Sequence, residues 1–259
     1  MNSQEMERRF SLDGRTALVT GSSRGLGLVF ARGLRDAGAA VVLNGRDEGR
    51  LAAAVAELRI GAAKVYSARF DVTDEAGVRE GVRAAEAAAG PIDILINNAG
   101  LQHRAPLEEF PLERWNTVLT TNLTSAFLVS KAVVPGMIGR GGGKIVNVCS
   151  LQSELGRQSI APYAASKGGL KMLTRGMAVE WAKHNIQVNG IGPGYFITEM
   201  TQPLADDVAF DSWLKKRTPA GRWGNPEELI GTLVYLVSGA SSFVSGQIIY
   251  VDGGILAAI

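Results

Sequence analysis

The chain has 259 residues, 46% of them hydrophobic, and a net charge of +2 with no runs of like charge. That is enough apolar mass for one large α/β domain, and no block of Lys or Arg marks a nucleic-acid or membrane footprint. A single cysteine, Cys149, excludes an intrachain disulfide framework, and with only His103 and His184 beside it no His/Cys metal site is expected.

Residues 1–14 are polar, lack an apolar signal core and read as a loose lead-in. No apolar run is expected to approach the roughly 20 residues of a membrane span, so a cytoplasmic protein is expected. Residues 16–20 (TALVT) form a short strand, followed at once by a glycine turn over 21–27 (GSSRGLG) and a helical pattern that Gly38 closes. Glycines let the backbone approach a pyrophosphate, and helix-start N–H groups point at it. Gly21, Ser23, Arg24, Gly25, Leu26 and Gly27 are therefore candidate cofactor contacts. The next strand, 40–44, runs into Gly45 and Arg46, where an NAD site usually carries a carboxylate. A guanidinium at Arg46, with Arg24 as a second positive charge, suits a 2′-phosphate. NADP(H) is thus favoured over NAD(H); the alternative is a surface Arg46 with Asp47 turned back onto the ribose.

A helix over 47–59 and a strand over 64–70 follow. Asp71 and Val72 stand at the strand end, a usual place for an adenine contact, although Asp71 could equally cap the next helix with Thr73. A helix over 75–89 leads to 92–96 (IDILI), apolar enough for a central strand covered on both faces. It ends in Asn97-Asn98-Ala99-Gly100, a small polar turn suited to close contact with a bound ring. The loop 101–110 lies where open α/β sheets bind ligands. It carries Gln102, His103 and Arg104, and Arg104 either clamps a carboxylate or is a solvated loop charge.

The segment 115–137 reads as one long helix with Asn122, a poor residue for a helix interior, in its middle. Asn122 either bonds a backbone carbonyl or bends the helix to expose that carbonyl to water. After a strand over 144–149, Ser150 opens a stretch that ends in Tyr163-Ala164-Ala165-Ser166-Lys167. If Pro162 starts a helix, Tyr163 and Lys167 lie one turn apart on one face. A free phenol has a pKa of about 10. A fixed ammonium beside it would pull that down and make the pair a general acid/base for a hydroxyl or carbonyl. Ser150 would reach the same substrate oxygen. The helix runs to about residue 183 and leads to a strand over 186–191 and a tight turn over 192–198 (GPGYFIT). Residues 199–219 show no strand and read as a lid that closes on ligands. A last helix starts at Asn225-Pro226-Glu227-Glu228, and 247–251 is a final strand. Strand and helix alternate throughout. This argues for a single-domain α/β Rossmann fold: a doubly wound parallel seven-stranded sheet with helices on both faces.

With these pieces in order, nearly the whole chain resembles a short-chain dehydrogenase/reductase. The resemblance rests on TGSSRGLG at 20–27, NNAG at 97–100, the set Asn122, Ser150, Tyr163 and Lys167, the PG turn at Pro193-Gly194, and VDGG at 251–254. It implies that Asn98, Ala99, Gly100, Pro193, Gly194, Ile197 and Thr198 also line the cofactor, together with Tyr163 and Lys167. It further implies that Tyr163 takes the substrate hydroxyl proton during oxidation. Lys167 would lower the Tyr163 pKa and hold the nicotinamide ribose. Ser150 would bond the oxygen that gains charge, and Asn122 would anchor a water linking Lys167 to solvent.

The stretches VCSLQSELGRQSIAPYAASK, NGIGPGYFITEMT and KRTPAGRWGNPEELIG resemble family members that interconvert D-gluconate and 5-keto-D-gluconate. Substrate contacts are then expected from Arg104, Ser150, Gln152, Glu154, Arg157, Tyr163 and Tyr195. Glu154 would accept from sugar hydroxyls or orient an Arg. The family also implies a homotetramer with 255–259 at an interface, and no metal, nucleic-acid or membrane partner is expected. The alternatives are a reductase of another sugar acid, polyol, steroid or 3-oxoacyl substrate, or a non-catalytic NADPH sensor.

Overall fold

Parallel strands covered on both faces must be apolar along their whole length, and the centre of this sheet meets that demand. In the computed structural model, which describes residues 2–259, β1 (Thr16–Val19) and β4 (Ile94–Asn97) bury every side chain. They are flanked by β2 (Ala40–Gly45) and β3 (Val65–Arg69) on one side and by β5 (Gly143–Val148), β6 (Ile186–Pro193) and β7 (Ile248–Val251) on the other. The sheet order is β3-β2-β1-β4-β5-β6-β7, all parallel, with Leu18 opposite both Val42 and Leu95. The chain reverses direction across the sheet between β3 and β4, so the ends of β1 and β4 frame a crevice. The expected fold class is the one found.

Helices α2 (Gly25–Asp36), α3 (Glu48–Leu58) and α10 (Ile230–Val237) cover one face. There Phe30, Leu34, Leu51, Leu58, Leu233 and Leu236 pack on the strands. On the other face α4 (Glu75–Ala89), α6 (Ser125–Gly139) and α7 (Ala161–Trp181) contribute Val78, Val82, Val129, Val133, Met137 and Met177. Apolar burial of this extent is the main stabilising term of the fold.

Four boundaries differ from the sequence expectations. The N-terminal segment is not loose: α1 (Ser3–Phe10) is helical although it buries no residue. Its signal is local, since Asn2 caps it by accepting from the Glu5 N–H at 2.8 Å, with Glu5 in the first turn and Arg8 and Arg9 in the last. The strand expected over 92–96 is Ile94–Asn97; Asp93 just before it still bonds Thr16 and Lys144 through its backbone, and its carboxylate also accepts from the Thr16 N–H. The helix expected over 115–137 is two helices, α5 (Leu112–Leu119) and α6, joined by a π-helical turn at Thr120–Thr124. Together Leu112–Gly139 is long and apolar enough to cross a membrane, contrary to the expectation for this chain. Here it packs instead on α4 and the sheet, and its Ser130 bonds Asn97 inside the domain. Finally, the strandless segment 199–219 holds two short helices, α8 (Gln202–Ala205) and α9 (Val208–Arg217).

Candidate active site

The crevice floor is backbone held by short polar side chains. Gly21 has φ +60°, and a Cβ there would lie 2.9 Å from the Ala99 Cα. A Cβ on Gly27 would run into the Gly21 carbonyl. Only glycines let the turn and the 97–100 segment close on each other. Thr20 Oγ1 accepts from the N–H groups of Asn98 (3.0 Å) and Ala99 (3.1 Å), and Asn98 Nδ2 donates to the carbonyls of Thr20 and Gly21. Asn44 adds a third tie: its Oδ1 accepts from the Gly21 N–H, and its Nδ2 donates to the carbonyls of Ala68 and Phe70. A buried Asn closing an otherwise apolar strand was the available sign of this role, and the sequence reading missed it. Gly25, Leu26 and Gly27 form the first turn of α2, whose N–H groups face the crevice as an anion site requires.

The cations meant for a 2′-phosphate are exposed and paired. Arg46 donates to Asp71 Oδ2 at 3.3 Å, and Arg24 donates to Glu199 Oε2 at 3.3 Å. Asp71 also accepts from the N–H and hydroxyl of Thr73, so its local turn role is realised. Its pKa is lowered by these bonds and by Arg46, against the opposing and largest single effect of burial. Asp47 does not turn back toward a ribose; it caps α3 by accepting from the Arg50 N–H. Val72 is buried beside Asp71.

The four-residue set converges at the ends of β4 and β5. Lys167 is 4% exposed, and its Nζ donates to the Val148 carbonyl at 2.6 Å and lies 5.7 Å from the Tyr163 ring centroid. Pro162 is the second residue of α7, so the expected helix start and one-turn spacing are present. The expected lowering of the Tyr163 pKa is not. Burial pushes the phenol up, and the Ser150 hydroxyl only partly offsets this. Lys167 is itself pulled down to about 8 by burial, opposed by the neighbouring Cys149. Its amine sits over the ring face and is committed to a carbonyl. Desolvation therefore outweighs charge–charge attraction for both groups.

Asn122 bonds a backbone group, the first of the two readings offered for it. Its Oδ1 accepts from the Leu101 N–H at 2.8 Å, and its Nδ2 donates to the Leu101 carbonyl at 2.9 Å and to Ser166 Oγ at 3.1 Å. With both Nδ2 protons engaged, the side chain staples the loop after β4 to the helix carrying Tyr163. The π turn around it is the kind of helical irregularity that concentrates at functional sites. Gly100 brings the 97–100 turn against this staple: a Cβ there would lie 3.3 Å from Asn122 Oδ1 and 3.8 Å from Lys167 Nζ.

Ser150 caps a short 3₁₀ turn and donates to Gln152 Oε1 at 2.6 Å. Beyond Tyr163 stand Tyr195, Arg157 and Arg104. Arg157 Nη1 donates to Tyr195 Oη at 3.3 Å, and its guanidinium lies 4.5 Å from the Phe210 ring centroid. Arg104 is exposed, and what desolvation it has and then the like charge of Arg157 lower its pKa. Neither arginine forms an ion pair with a carboxylate among the described residues, unlike Arg24 and Arg46. Glu154 does not orient an arginine: both its oxygens take the Lys171 ammonium at 2.6 Å, and Oε1 also accepts from Tyr250 Oη at 2.6 Å. Pro193 ends β6, Gly194 packs on Asp252, and Ile197 and Thr198 begin the segment that leads to α8. The aromatic wall of Phe210, Trp213 and Trp223 around Tyr195 was not foreseen.

Such an arrangement, a glycine-built dinucleotide turn facing a half-buried Tyr over a buried Lys with a serine beside it, defines a nicotinamide-dependent oxidoreductase of the Rossmann class. Residues 15–209 match the short chain dehydrogenase family, and the chain belongs to it. It is 57% identical over 246 residues to gluconate 5-dehydrogenase of Gluconobacter oxydans (strain 621H), covering 95% of this chain and 96% of that protein. It is 52% identical over 254 residues to 5-keto-D-gluconate 5-reductase of Escherichia coli (strain K12), covering 98% of this chain and all of that one. Among solved structures it is similar to a gluconate 5-dehydrogenase from Burkholderia cenocepacia J2315 in complex with NADP and tartrate. The TM-score is 0.96 at 52% identity, over 98% of this chain and 100% of that one.

Proposed function

We propose that this chain is an NADP(H)-dependent oxidoreductase that interconverts D-gluconate and 5-keto-D-gluconate. The observation that carries the substrate class is the pair Arg104 and Arg157. Among the described residues neither has a carboxylate partner, and both stand beside Tyr195 at the mouth of the Tyr163–Ser150 site. Two like charges kept side by side call for an anion. The relatives named for gluconate and 5-keto-D-gluconate agree with this reading.

The residues fit a dinucleotide. The Gly21–Gly27 approach leaves bare backbone where a pyrophosphate would rest, and Arg46 and Arg24 would turn from their carboxylates to a 2′-phosphate. The relative solved with NADP supports that choice of cofactor. When bound, the nicotinamide supplies or accepts the hydride. In reduction the Tyr163 phenol donates its proton to the C5 carbonyl oxygen, the direction its raised pKa favours; in oxidation Tyr163 must first be the phenolate, whose Oη then takes the proton of the C5 hydroxyl. Ser150 Oγ turns from Gln152 to donate to the same oxygen as it gains carbonyl character. Lys167, buried and cationic, offsets the charge of the Tyr163 phenolate, the state before proton uptake in oxidation and after proton donation in reduction, and Asn122 keeps the two loops of the site in register. Arg104 and Arg157 hold the carboxylate at the far end, and Gln152 and Tyr195 contact the polyol. Glu154, tied to Lys171, braces the loop. A cytoplasmic homotetramer is part of this reading, by family resemblance.

Absorbance at 340 nm with NADP⁺ or NADPH and a panel of sugar acids, polyols and 3-oxoacyl compounds tests it. Turnover of gluconate and 5-keto-D-gluconate above all others is expected. Turnover of another carbonyl with none of these two overturns the assignment, and binding of NADPH without any turnover favours a sensor.

A further inference from the structure

Arg157 lies in a loop, between the 3₁₀ turn Leu151–Ser153 and α7, with no helix or strand to fix it. A side chain of that length loses substantial rotamer entropy when ordered, and Arg104 beside it pushes its charge away. What holds it is aromatic. Its guanidinium lies over the Phe210 ring at 4.5 Å from the centroid and, more distantly, 6.0 Å from that of Tyr195, whose hydroxyl accepts from Nη1. Phe210 is in turn locked. Its ring centroid is 5.1 Å from that of Trp213, 5.7 Å from Tyr195 and 6.2 Å from Trp223. Trp223 Nε1 donates at 2.8 Å to Asp211, the next residue of α9, and Leu214 buries the following turn. The loop is also set from behind, because the Ala105 N–H donates to the Ser159 carbonyl at 3.1 Å and Ser159 holds φ +65°. That conformation is unusual for a side-chain-bearing residue and occurs where surroundings impose it.

We infer that Phe210 is a positioning residue: through its ring face the lid helix α9 holds the Arg157 guanidinium where the acid end of the substrate arrives. This rests on the gluconate reading above and deepens it, because it makes acid recognition a property of the lid as well as of the loops. Phe210 offers no polar atom, so its contribution passes through Arg157. A cation on a desolvated aromatic face is held by about 1–2 kcal/mol, enough to decide whether a loop arginine points inward.

The test is a double-mutant cycle on the full-length enzyme with gluconate and NADP⁺. Phe210→Leu, which keeps the apolar bulk, is expected to raise the gluconate KM about fivefold to tenfold with kcat and the NADP⁺ KM within about twofold. Phe210→Trp, which keeps a ring face, should restore most of the loss. In an Arg157→Ala background, itself raised in KM, Phe210→Leu should add less than about twofold. The inference fails if Phe210→Leu is neutral, if its effect is undiminished without Arg157, or if Arg157→Ala leaves KM unchanged. Absence of gluconate turnover in the unmodified enzyme is a separate outcome. It sinks the substrate assignment, and the same cycle on the sugar acid that is turned over then decides the role of Phe210.

Discussion

Arg24 and Arg46, on the proposed cofactor side, rest on Glu199 and Asp71, whereas Arg104 and Arg157, on the proposed substrate side, stand together with no carboxylate partner among the described residues. Exposed ion pairs contribute little, about 0–1 kcal/mol each, so exchanging a carboxylate for a phosphate at Arg46 has a small cost in either direction. The substrate side is different. Its two guanidiniums repel each other, Arg157 being half-buried and Arg104 exposed, and an arriving carboxylate relieves that repulsion. The cofactor side is a surface that exchanges partners; the substrate side is held in wait by aromatic walls.

The largest effect expected lies between the two halves. Tyr163→Phe should lower kcat by a factor of about 10²–10⁴, while NADPH binding followed by its fluorescence stays within twofold of the parent. A variant that turns over normally would remove Tyr163 from proton transfer. The comparison itself is broken or upheld by two alanine variants measured side by side. Arg104→Ala should raise the gluconate KM about tenfold, the weight of a charged hydrogen bond, and spare the NADP⁺ KM. Arg46→Ala should raise the NADP⁺ KM about tenfold, leave the NAD⁺ KM alone and spare gluconate. If the two variants disturb the same constant, the two halves are not separate.

The smallest effect is a control at the other end of the sheet. Lys144, at the start of β5, donates to Ser241, and burial brings its pKa down to about 8. Between that value and the ordinary lysine range near 10.4, the unfolded chain holds a proton that the folded chain has released. Stability should therefore rise with pH across this window and be poorest below it. Lys144→Met should flatten that rise in urea denaturation, with catalytic constants unchanged. An unaltered slope would show that Lys144 is not the group responsible.

The parts legible from sequence are those fixed by short-range rules. The glycine turn has to be Gly21 and Gly27 because backbone atoms fill the space a Cβ would take. The Tyr163–Lys167 spacing has to share a helix face once Pro162 starts α7. The direction of the Tyr163 pKa was misread because charge and spacing are local, whereas burial is set by everything packed around the ring. Glu154 was misassigned for a similar reason: its partners Lys171 and Tyr250 lie 17 and 96 residues away. Phe210, Trp213 and Trp223 looked like ordinary lid residues until the fold brought them around Tyr195 and Arg157. The helix at Ser3–Phe10 was legible through Asn2 and Glu5, and was passed over because its apolar pattern is weak.

The Tyr250–Glu154 bond links the loop behind Ser150 to β7, the final strand of the sheet. A chain emerging from the ribosome in order therefore makes its serine, tyrosine and lysine long before the residue that steadies their loop exists. That brace can close only once residue 250 has left the ribosome, so the order of synthesis separates the making of the catalytic side chains from the steadying of their loop.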